Sequence, residues 1–489
     1  MATGIPRTKW QGPPHSVSGN GSNPGNTDVH LSYEGKKPES EILSTPAARC
    51  RELWPDCYGQ APANRLYYGD NLPILSALIR DPVVRGHVRL VYIDPPYATK
   101  SVFQSRNQAD AYMDLLEGAH YLEFLRERLI LIRELLADDG SVYVHLDDNM
   151  AFLVKAVMDE VFGRANFRNW ITRKKCNPKN YTRKTYGNVT DYILFYTKTD
   201  NYVWHRPVDP WTEQHSAKEY QYVEAGTGRR YKKVPVHAPG VRNGETGRPW
   251  RGVNPPPGKH WQYPPRTLDE MDVRGEIYWS PTGNPRRKIF LDQSDGVPVQ
   301  DIWLEYRDAH NQNIAVSGYP TEKNPALLTR IIKASSNVGD IVLDCFSGSG
   351  TTLNVASHLG RHWIGVDNSR EAIRATLRRF SKGLEPMGDF VSKLETAEKD
   401  EQLATTLSLF GTEETAKPSA KDKKQHQAIT DFALIAQEPN GGDLSDILEH
   451  WTEWHGESQV IQLSETPVAY TVGKLKNLRS RPTHRKHGR

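Results

Sequence analysis

The sequence predicts an α/β protein in which a parallel sheet is built from two halves separated by an insert. Strand-length apolar runs alternate with helical patterns from about residue 65 to 163, and the alternation resumes from about residue 324 to 380. Between these halves, residues 164–291 contain 24 Lys and Arg against 11 Asp and Glu, and 19 of the 46 aromatic residues. A basic, aromatic-rich segment is typical of a polyanion-binding region, with a solvated basic face as the alternative.

The first half opens with NRLYYGDNLPILSALI, which predicts a short strand, a turn at Gly69 and Asp70, and a helix. Asp70 either lies near a ligand cleft or caps its own helix. The next run, Val88 to Ile93, has the length and β-branched content of a buried strand. It ends before Pro95 and Pro96, because proline has no N–H to donate to a sheet.

A helix and a further strand–helix pair complete this half. Apolar residues spaced by three and four predict a helix from about Tyr121 to Leu136 with one buried stripe. ADDGSVYVHLDD then predicts a turn and a strand, and MAFLVKAVMDEVFG predicts another helix. His145 and Asp147 alternate on that strand in the manner of a metal pair, but two ligands are too few for a protein metal site, so we expect none.

The second half is organised around VLDCFSGSGTT, a strand that runs into a glycine-rich turn at the start of a helix. Such a turn offers backbone N–H groups to a ligand. A Walker A loop needs Lys where this chain has Thr351, and a dinucleotide fingerprint needs Gly where it has Leu353. Asp367 ends the next strand, 17 residues after Gly350, where an acid commonly binds ribose. The pattern indicates a nucleoside without a pyrophosphate, with a purely structural turn as the alternative.

Six segments are expected along the chain. They are a disordered arm at 1–48, the first half of the main α/β domain at 49–204, a basic insert at 205–300, the second half of the main domain at 301–384, a linker at 385–427, and a small C-terminal module with a basic tail at 428–489.

Cysteine spacing and hydropathy restrict the class of protein. The four cysteines form no Cys-x-x-Cys pair, which argues against a structural zinc site and against a disulfide framework. No apolar run reaches ~18 residues and no secretory leader is recognisable, so neither a membrane span nor secretion is expected. We therefore expect a cytoplasmic protein with free thiols.

Together, the two motifs resemble those of a known family, the amino-methylating DNA methyltransferases that use S-adenosylmethionine. Asp94-Pro95-Pro96-Tyr97 resembles their catalytic tetrapeptide, and DCFSGSGTT resembles their cofactor loop, with Cys345 where proline is commoner. The tetrapeptide precedes the cofactor loop, as in the permuted β class. The resemblance implies a Rossmann-like methyltransferase sheet that is circularly permuted, with the catalytic half at 49–204 before the cofactor-binding half at 301–384 and a target-recognition insert at 205–300 between them.

Further segments are similar to adenine-specific members, including modification subunits of restriction systems. They include GSVYVHLDDNMAFLVKAVMDEVFG, DYILFYTK and GNPRRKIFLDQSDGVPVQDIW. YPTEKNPALLTRII is also similar, although Lys323 is followed by Asn324 where proline is usual. The resemblance covers roughly residues 65–383 and implies methyl transfer from S-adenosylmethionine to the N6 amino group of an adenine flipped out of double-stranded DNA.

The resemblance also assigns roles to particular residues. Asp94 and a carbonyl of Pro95 or Pro96 would accept the hydrogens of the target amino group, and Tyr97 would stack on the base. The residues implied in cofactor binding are Asp94, Lys323, Asp344, Phe346, Gly348, Ser349, Gly350, Thr351 and Asp367.

The basic insert and its flank supply the candidate DNA contacts, because arginine suits bidentate contact with guanine and lysine suits phosphate. These residues are Arg173, Lys174, Lys175, Arg229, Arg230, Lys232, Lys233, Arg248, Arg251, Arg286 and Arg287. Membership of a restriction or defence system is expected, and a homodimer stays open.

Three alternatives remain at this point. They are cytosine-N4 methylation by the same fold, an RNA substrate, and a non-catalytic DNA-binding specificity subunit. The presence of Asp94, Tyr97, Gly348, Gly350 and Asp367 argues against the last.

Overall fold

The computed structural model describes residues 31–54, 63–96, 102–104, 110–113, 118–177, 184–306, 323–383, 428–439 and 444–455, with backbone alone for 102–104, 110–113 and 452–455. Tyr97 and the expected linker at 385–427 lie outside these residues, as do residues 1–30 and 456–489. No helix within the described ranges is long and apolar enough to cross a membrane.

The described residues form twenty strands and ten α-helices. The strands are β1 (Cys50–Trp54), β2 (Asn64–Tyr68), β3 (Val88–Ile93), β4 (Val102–Gln104), β5 (Asp110–Met113), β6 (Leu136–Leu146), β7 (Phe167–Lys174), β8 (Thr190–Thr197), β9 (Val208–Asp209), β10 (Tyr222–Val223), β11 (Arg230–Pro235), β12 (His237–Pro239), β13 (Lys259–Trp261), β14 (Ile277–Trp279), β15 (Pro285–Phe290), β16 (Val297–Pro298), β17 (Ile302–Trp303), β18 (Ile341–Asp344), β19 (His362–Asp367) and β20 (Phe432–Gln437). The helices are α1 (Glu39–Leu43), α2 (Asn71–Leu78), α3 (Gly118–Leu135), α4 (Ala151–Phe162), α5 (Glu213–Glu219), α6 (Pro265–Val273), α7 (Pro325–Ser335), α8 (Thr351–His358), α9 (Arg370–Lys382) and α10 (Ser445–His455).

Ten strands form the main sheet, in the order β1-β20-β2-β19-β18-β3-β6-β8-β7-β17. The six strands from β20 to β6 are parallel, whereas β1 and β8 run antiparallel to their neighbours. The strand that precedes the two prolines, β3, lies beside the strand of the glycine-rich turn, β18. The predicted Rossmann-like sheet is confirmed, and strands from both halves of the sequence contribute to it.

Helices cover both faces of this sheet, because strand side chains alternate between the faces. Val91 and Ile93 of β3 pack in one apolar cluster with residues of α2, α3 and α4. Leu90 and Tyr92 point the other way, into a cluster with residues of α7, α8, α9 and α10. Burial on both faces explains why β3 reads as a nearly continuous apolar run.

The parallel direction brings several strand ends to one edge of the sheet. Asp344 ends β18 and Asp367 ends β19, while Asp94, Gly69 and Asp147 follow β3, β2 and β6 directly or closely. Open α/β sheets bind ligands at this carboxyl edge. The fold therefore gathers the predicted acids from both halves of the sequence.

Residues 205–300 form a separate arrangement of short elements. Its largest part is a four-stranded antiparallel sheet in the order β10-β11-β15-β14. Part of the segment packs around an apolar cluster that includes Trp250, Trp261, Leu268 and Ile277. The predicted insert thus has a core of its own.

The prediction of a disordered arm up to residue 48 is wrong for residues 31–48. Ile42 of α1 is 1% exposed in the main core. The Tyr33 hydroxyl donates to Glu123 at 2.6 Å, and Lys37 lies 2.5 Å from Glu127. This end of the arm therefore packs on α3 through specific polar contacts.

The prediction of a separate C-terminal module is also wrong for the described part of 428–489. Strand β20 lies inside the main sheet, between β1 and β2. Its Phe432 packs against Trp54 and Trp451, with ring centroids 4.8 and 5.5 Å away. Asp446 of α10 lies 2.9 Å from Arg374 of α9. The apolar residues of this segment are therefore buried against the main sheet and do not form a second core.

Candidate active site

Three acids from adjacent strands define the candidate site. In the sheet register, Asp344 lies opposite Gly365 of β19, and Leu343 lies opposite Val91 of β3. Asp94, Asp344 and Asp367 therefore end three neighbouring strands at one edge. We call residues 344–350 the cofactor loop and residues 94–96 the catalytic turn, after the roles that the sequence predicts for them.

Asp344 shapes the start of the cofactor loop. Its carboxylate accepts hydrogen bonds from the Thr352 hydroxyl at 2.6 Å and from the Phe346 N–H at 3.0 Å. Burial raises the pKa of the Asp344 carboxyl to about 7, although these two hydrogen bonds act in the opposite direction. Asp344 thus joins β18 to the first turn of α8 and is buried beneath the loop.

The rest of the cofactor loop is fixed by side chains of α9. Thr376 donates its hydroxyl proton to the Gly348 carbonyl at 2.9 Å. The buried Arg379 donates from Nε to the Ser349 carbonyl at 2.7 Å. Gly350 has φ 70°, and a Cβ placed there would lie 2.6 Å from the Thr376 methyl group. A larger residue at position 350 is therefore disfavoured by both backbone conformation and contact.

Asp367 lies across the loop at the end of β19. One carboxylate oxygen accepts from the Gly348 N–H at 2.8 Å, and the other accepts from the Ser369 N–H at 2.9 Å. Burial raises the pKa of Asp367 to about 6, against the effect of these hydrogen bonds. Each carboxylate oxygen has a second lone pair. Asp367 is therefore held in place and can still accept from a ligand hydroxyl.

A second wall of the site is formed by residues that the sequence patterns did not single out. The Asn71 side chain donates to the Cys345 carbonyl at 2.7 Å and accepts from Arg128 Nε at 2.5 Å. The Arg128 guanidinium lies 3.6 Å from the centre of the Phe124 ring, and the Phe124 and Phe346 rings lie 6.0 Å apart. Phe124 and Arg128 lie on α3, whose sequence pattern indicates only an amphipathic helix, so their place in the site could not be predicted from the sequence.

Asp70 adopts the helix-capping role that was one of its two predicted roles. Its carboxylate accepts from the Leu72 N–H at 3.0 Å, which satisfies a free donor at the start of α2. The same carboxylate also lies 3.2 Å from Arg128. Asp70 therefore caps α2 and contacts the second wall.

The catalytic turn faces a lysine from the other half of the sequence. Lys323 Nζ lies 2.6 Å from Asp94 Oδ2, and Lys323 is 8% exposed. Residues 95 and 96 are the two prolines, which fix the backbone after Asp94. The structure therefore brings Lys323, predicted as a cofactor ligand, onto the predicted catalytic carboxylate.

A buried polar network lies behind the catalytic turn and corrects the prediction for Arg173. Tyr92 and His145 form a hydrogen bond of 2.7 Å, and His145 Nε2 lies 2.9 Å from Asp191. Arg173 is 0% exposed, lies 2.8 Å from Asp191 and donates to the Tyr306 carbonyl at 2.7 Å. The pKa of Asp191 is raised by burial but lowered more strongly by His145 and Arg173, and ends well below its usual range. Arg173 is therefore an internal ion partner and not a DNA contact.

His145 and Asp147, considered together as a metal pair, bind different partners. Asp147 accepts from the Asn149 and Met150 N–H groups at 3.2 Å each and so caps the turn before α4. Within the described residues, no group of three or more His, Cys, Asp or Glu side chains could hold a metal ion.

The other predicted DNA contacts differ in whether their charge is already compensated. Arg229 lies 2.7 Å from Asp292, Arg251 lies 2.8 Å from Asp269, and Lys232 lies 3.5 Å from Glu219. Arg287 donates to the Tyr263 hydroxyl at 2.9 Å. The remaining residues are at least partly exposed; they are Lys174, Lys175, Arg230, Lys233, Arg248 and Arg286.

Comparison with known proteins finds a matching family model and a similar methyltransferase. Residues 88–378 match the family model N6_N4_Mtase, described as DNA methylase. The chain is 47% identical over 367 residues to the type II methyltransferase M.EcaI of Enterobacter cloacae, and the match covers 74% of this chain and 80% of that protein.

A more distant relative and two solved structures are also similar. The StyLTI Mod subunit of a type III restriction-modification enzyme from Salmonella typhimurium is 27% identical, over 60% of this chain and 50% of its own length. The M1.HpyAVI–SAM complex matches with TM-score 0.36 and 16% identity, over 64% of this chain and 98% of its own. The PvuII DNA methyltransferase, described as cytosine-N4-specific, matches with TM-score 0.35 and 15% identity, over 72% and 95%.

Proposed function

The chain belongs to the N6_N4_Mtase family of DNA methylases, and from that premise we propose that it methylates the N6 amino group of adenine in double-stranded DNA. S-adenosylmethionine is the methyl donor in this proposal. The observation that carries it is the position of the catalytic turn. Asp94 follows β3, and the cofactor loop follows the adjacent strand β18, so a donor and an acceptor site share one edge of the sheet.

The cofactor loop suits a nucleoside ligand that has no pyrophosphate. Asp367 is fixed by two N–H groups and keeps lone pairs for ribose hydroxyls. Gly350 keeps the loop free of a side chain where it turns into α8, and Phe346 offers an aromatic ring. When bound there, S-adenosylmethionine would supply an activated sulfonium methyl group.

Asp94 and the proline turn address the chemical difficulty of the reaction. The amino nitrogen of adenine is a poor nucleophile, because its lone pair is delocalised into the ring. Asp94 and a carbonyl of the Pro95–Pro96 turn would accept its two hydrogens and direct the lone pair toward the methyl group. With the methyl donor already activated, the work of this site is positioning and electrostatics.

Lys323 keeps the catalytic carboxylate in place in this mechanism. Its ammonium group lies 2.6 Å from Asp94 Oδ2. A carboxylate has about four acceptor positions, so Asp94 can keep this partner and still accept a hydrogen from the target base. Tyr97, which lies outside the described residues, would stack on the face of the base.

The target base must leave the duplex before it can reach this edge. Base flipping costs a few kcal/mol, and duplex contacts must offset that cost. We assign those contacts to residues 205–300, whose separate core supports a basic surface. The relatives are named as a type II methyltransferase and as type III Mod subunits, which supports a restriction-modification setting for this chain too.

Analysis of the methylated base tests the proposal directly. Purified protein is incubated with labelled S-adenosylmethionine and unmethylated genomic DNA, and the DNA is digested to nucleosides and analysed. Label in N6-methyladenine supports the proposal, whereas label in N4-methylcytosine would transfer the same mechanism to cytosine. Equal labelling of RNA, or no labelling of DNA, would contradict it.

A further inference from the structure

The four-stranded sheet of the insert has two faces of different character. Ile277 lies in the apolar cluster, Trp279 stacks on Trp250 with ring centroids 5.0 Å apart, and Arg287 binds Tyr263. The register places Ile277 opposite Arg287, and Trp279 follows two positions after Ile277. These three side chains therefore share one face, and that face is covered by the insert's own core.

The opposite face carries basic and aromatic side chains. The register pairs Tyr222 with Tyr231 and Tyr278 with Arg286, and it pairs Arg286 with Pro235. Lys233 lies two positions from both Tyr231 and Pro235, so it shares a face with Tyr222, Tyr278 and Arg286. We call Tyr222, Lys233, Tyr278 and Arg286 the tyrosine–lysine face.

Lys233 is held between two aromatic rings on this face. Its ammonium group lies 3.6 Å from the centre of the Tyr222 ring and 3.4 Å from the centre of the Tyr278 ring. Cation–π contacts at these distances orient a long side chain that would otherwise sample many rotamers. The lysine is therefore ordered in advance, and less conformational entropy is lost when it meets a ligand.

The charges of Lys233 and Arg286 are not compensated by carboxylates of the insert. In the described part of the chain, no carboxylate forms an ion pair with Lys233 or Arg286, although Lys288 on the same face lies 2.9 Å from Glu224. Arg286 is exposed, and Tyr222 is 41% exposed. This combination contrasts with Arg229 and Arg251, whose charges are neutralised by Asp292 and Asp269.

From these observations we propose that the tyrosine–lysine face binds the phosphate backbone of the DNA duplex during target recognition. The inference rests on the proposed function and makes it more specific. Phosphate contact matches the uncompensated charges of Lys233 and Arg286, and the fixed lysine matches a contact that positions the duplex without reading its bases. The compensated arginines, Arg229 and Arg251, are structural in this view.

Two substitutions that each remove one positive charge test this assignment. Arg286→Gln removes a charge from the proposed face. Arg266→Gln is its control of equal charge change, because Arg266 is an exposed residue of α6 that lies 3.5 Å from Glu270, and Leu268 of the same helix packs in the cluster beneath the other face. Dissociation constants for a mixed-sequence duplex are measured by fluorescence anisotropy at several salt concentrations, without cofactor.

Arg286→Gln and Lys233→Gln are each expected to weaken binding roughly 5-fold at low salt and to reduce the slope of log K against log[salt] by about 0.9. Arg266→Gln should leave the slope unchanged. Equal slopes for Arg286→Gln and Arg266→Gln would overturn the proposal. The circular dichroism spectrum of each variant confirms that it is folded.

The tyrosines provide a second test through conservative replacement. Tyr278→Phe keeps an aromatic ring beside Lys233, so wild-type affinity is expected, whereas Tyr278→Ala should lose affinity about as much as Lys233→Gln does. Tyr278→Ala with unchanged affinity would contradict the role of the cation–π contact.

Methyl transfer to genomic DNA is measured in parallel for the wild-type protein, so that the two proposals fail in different ways. If the wild type methylates DNA while Arg286→Gln and Arg266→Gln bind alike, this inference fails alone. A wild-type protein that neither binds nor methylates DNA would refute both.

Discussion

Two neighbouring strand ends, the cofactor loop and the catalytic turn, are held in different ways. Side chains of Thr352, Thr376 and Arg379 and the carboxylate of Asp367 all bind backbone or acid groups of the cofactor loop. The catalytic turn takes its shape from two prolines and meets Lys323 across the cleft. The conformation of the cofactor loop is therefore fixed by contacts from several elements, whereas that of the catalytic turn is fixed by its own two proline rings.

The difference follows from what each must do. A cofactor site gains affinity from being preorganised, because less ordering is needed on binding. In the proposed mechanism, a turn that receives a flipped base needs acceptors whose direction is fixed but whose lone pairs are still available. Loop substitutions should therefore change cofactor binding and stability, whereas turn substitutions should change the rate of methyl transfer.

The largest effect is expected for Asp94→Ala. Loss of the acceptor that orients the target amino group should lower kcat by at least about 10³-fold, or roughly 4 kcal/mol. Binding of S-adenosylmethionine, measured by calorimetry, should change less than threefold because the cofactor loop is intact. A variant with full methyl transfer would refute the role of the turn, and one that no longer binds cofactor would show that turn and loop act as one unit.

The next largest effect concerns the pH dependence of stability. The carboxyl of Asp344 has its pKa raised by burial to about 7, from an ordinary value near 4 in the unfolded chain. Its contribution to stability is therefore fully present below pH 4 and is lost as the pH rises through 7, by about 4 kcal/mol if this group acts alone.

Asp344→Asn should remove this dependence. The free energy of unfolding, measured with urea at pH 4.5 to 7.5, should fall more steeply with pH in the wild type than in the variant. Asp138→Asn is a suitable control, because the Asp138 side chain is 91% exposed. If Asp344→Asn and Asp138→Asn gave parallel curves, the buried acid would not be the source of the effect.

Lys323→Met addresses the boundary between the two regions. The resemblance placed Lys323 among the cofactor ligands, but its ammonium group lies 2.6 Å from Asp94. We expect kcat to fall about 10- to 100-fold with cofactor affinity nearly unchanged, because a charged partner worth about 1.5–3 kcal/mol is removed from the catalytic carboxylate. Lys333→Met, an exposed position on α7, should have no effect. Equal fold-losses in cofactor affinity and in kcat would instead indicate that Lys323 binds the cofactor.

The smallest effect is expected for Gly350→Ala. Its φ of 70° costs a side chain about 1–2 kcal/mol, and contact with Thr376 adds strain that should weaken cofactor binding about 5- to 10-fold. Gly339→Ala is the control, since Gly339 has φ 84° with nothing within 4 Å of a Cβ.

A second substitution separates backbone strain from contact at this position. Thr376→Ser removes the methyl group that a Cβ at position 350 would meet, and it keeps the hydroxyl that binds the Gly348 carbonyl. In the Gly350→Ala background, it should restore part of the lost affinity. A double variant no better than Gly350→Ala alone would show that the methyl contact contributes nothing to the loss, which would then come from backbone strain and from the Thr376 hydroxyl, 2.8 Å from the same Cβ.

Local patterns predicted the strand ends well, because each depends on a short run of residues. The run Val88 to Ile93, the glycine-rich turn and Asp367 all lie where alternation of strands and helices placed them. Parallel pairing then brings their ends together without further information. The order of the halves followed from the order of the two motifs.

Long-range pairing and side-chain direction could not be predicted in this way. Strand β20 enters the sheet beside β2, whose residues lie more than 360 positions earlier, and no local pattern reports such a partner. Arg173 was predicted to contact DNA, together with Lys174 and Lys175, but β7 turns its side chain inward onto Asp191. A charge cluster on a strand always divides between two faces, and the sequence does not show which face is buried.

The place of β20 in the main sheet also determines when the sheet can be completed during synthesis. Both sheet neighbours of β2, β19 and β20, are translated some 300 or more residues after it. At roughly 5–20 residues per second, β2 waits about 20–75 s for β20 to be made. During that interval its edges are open to incorrect pairing. The carboxyl edge of the main sheet, at which Asp94, Asp344 and Asp367 lie, is therefore completed late in synthesis.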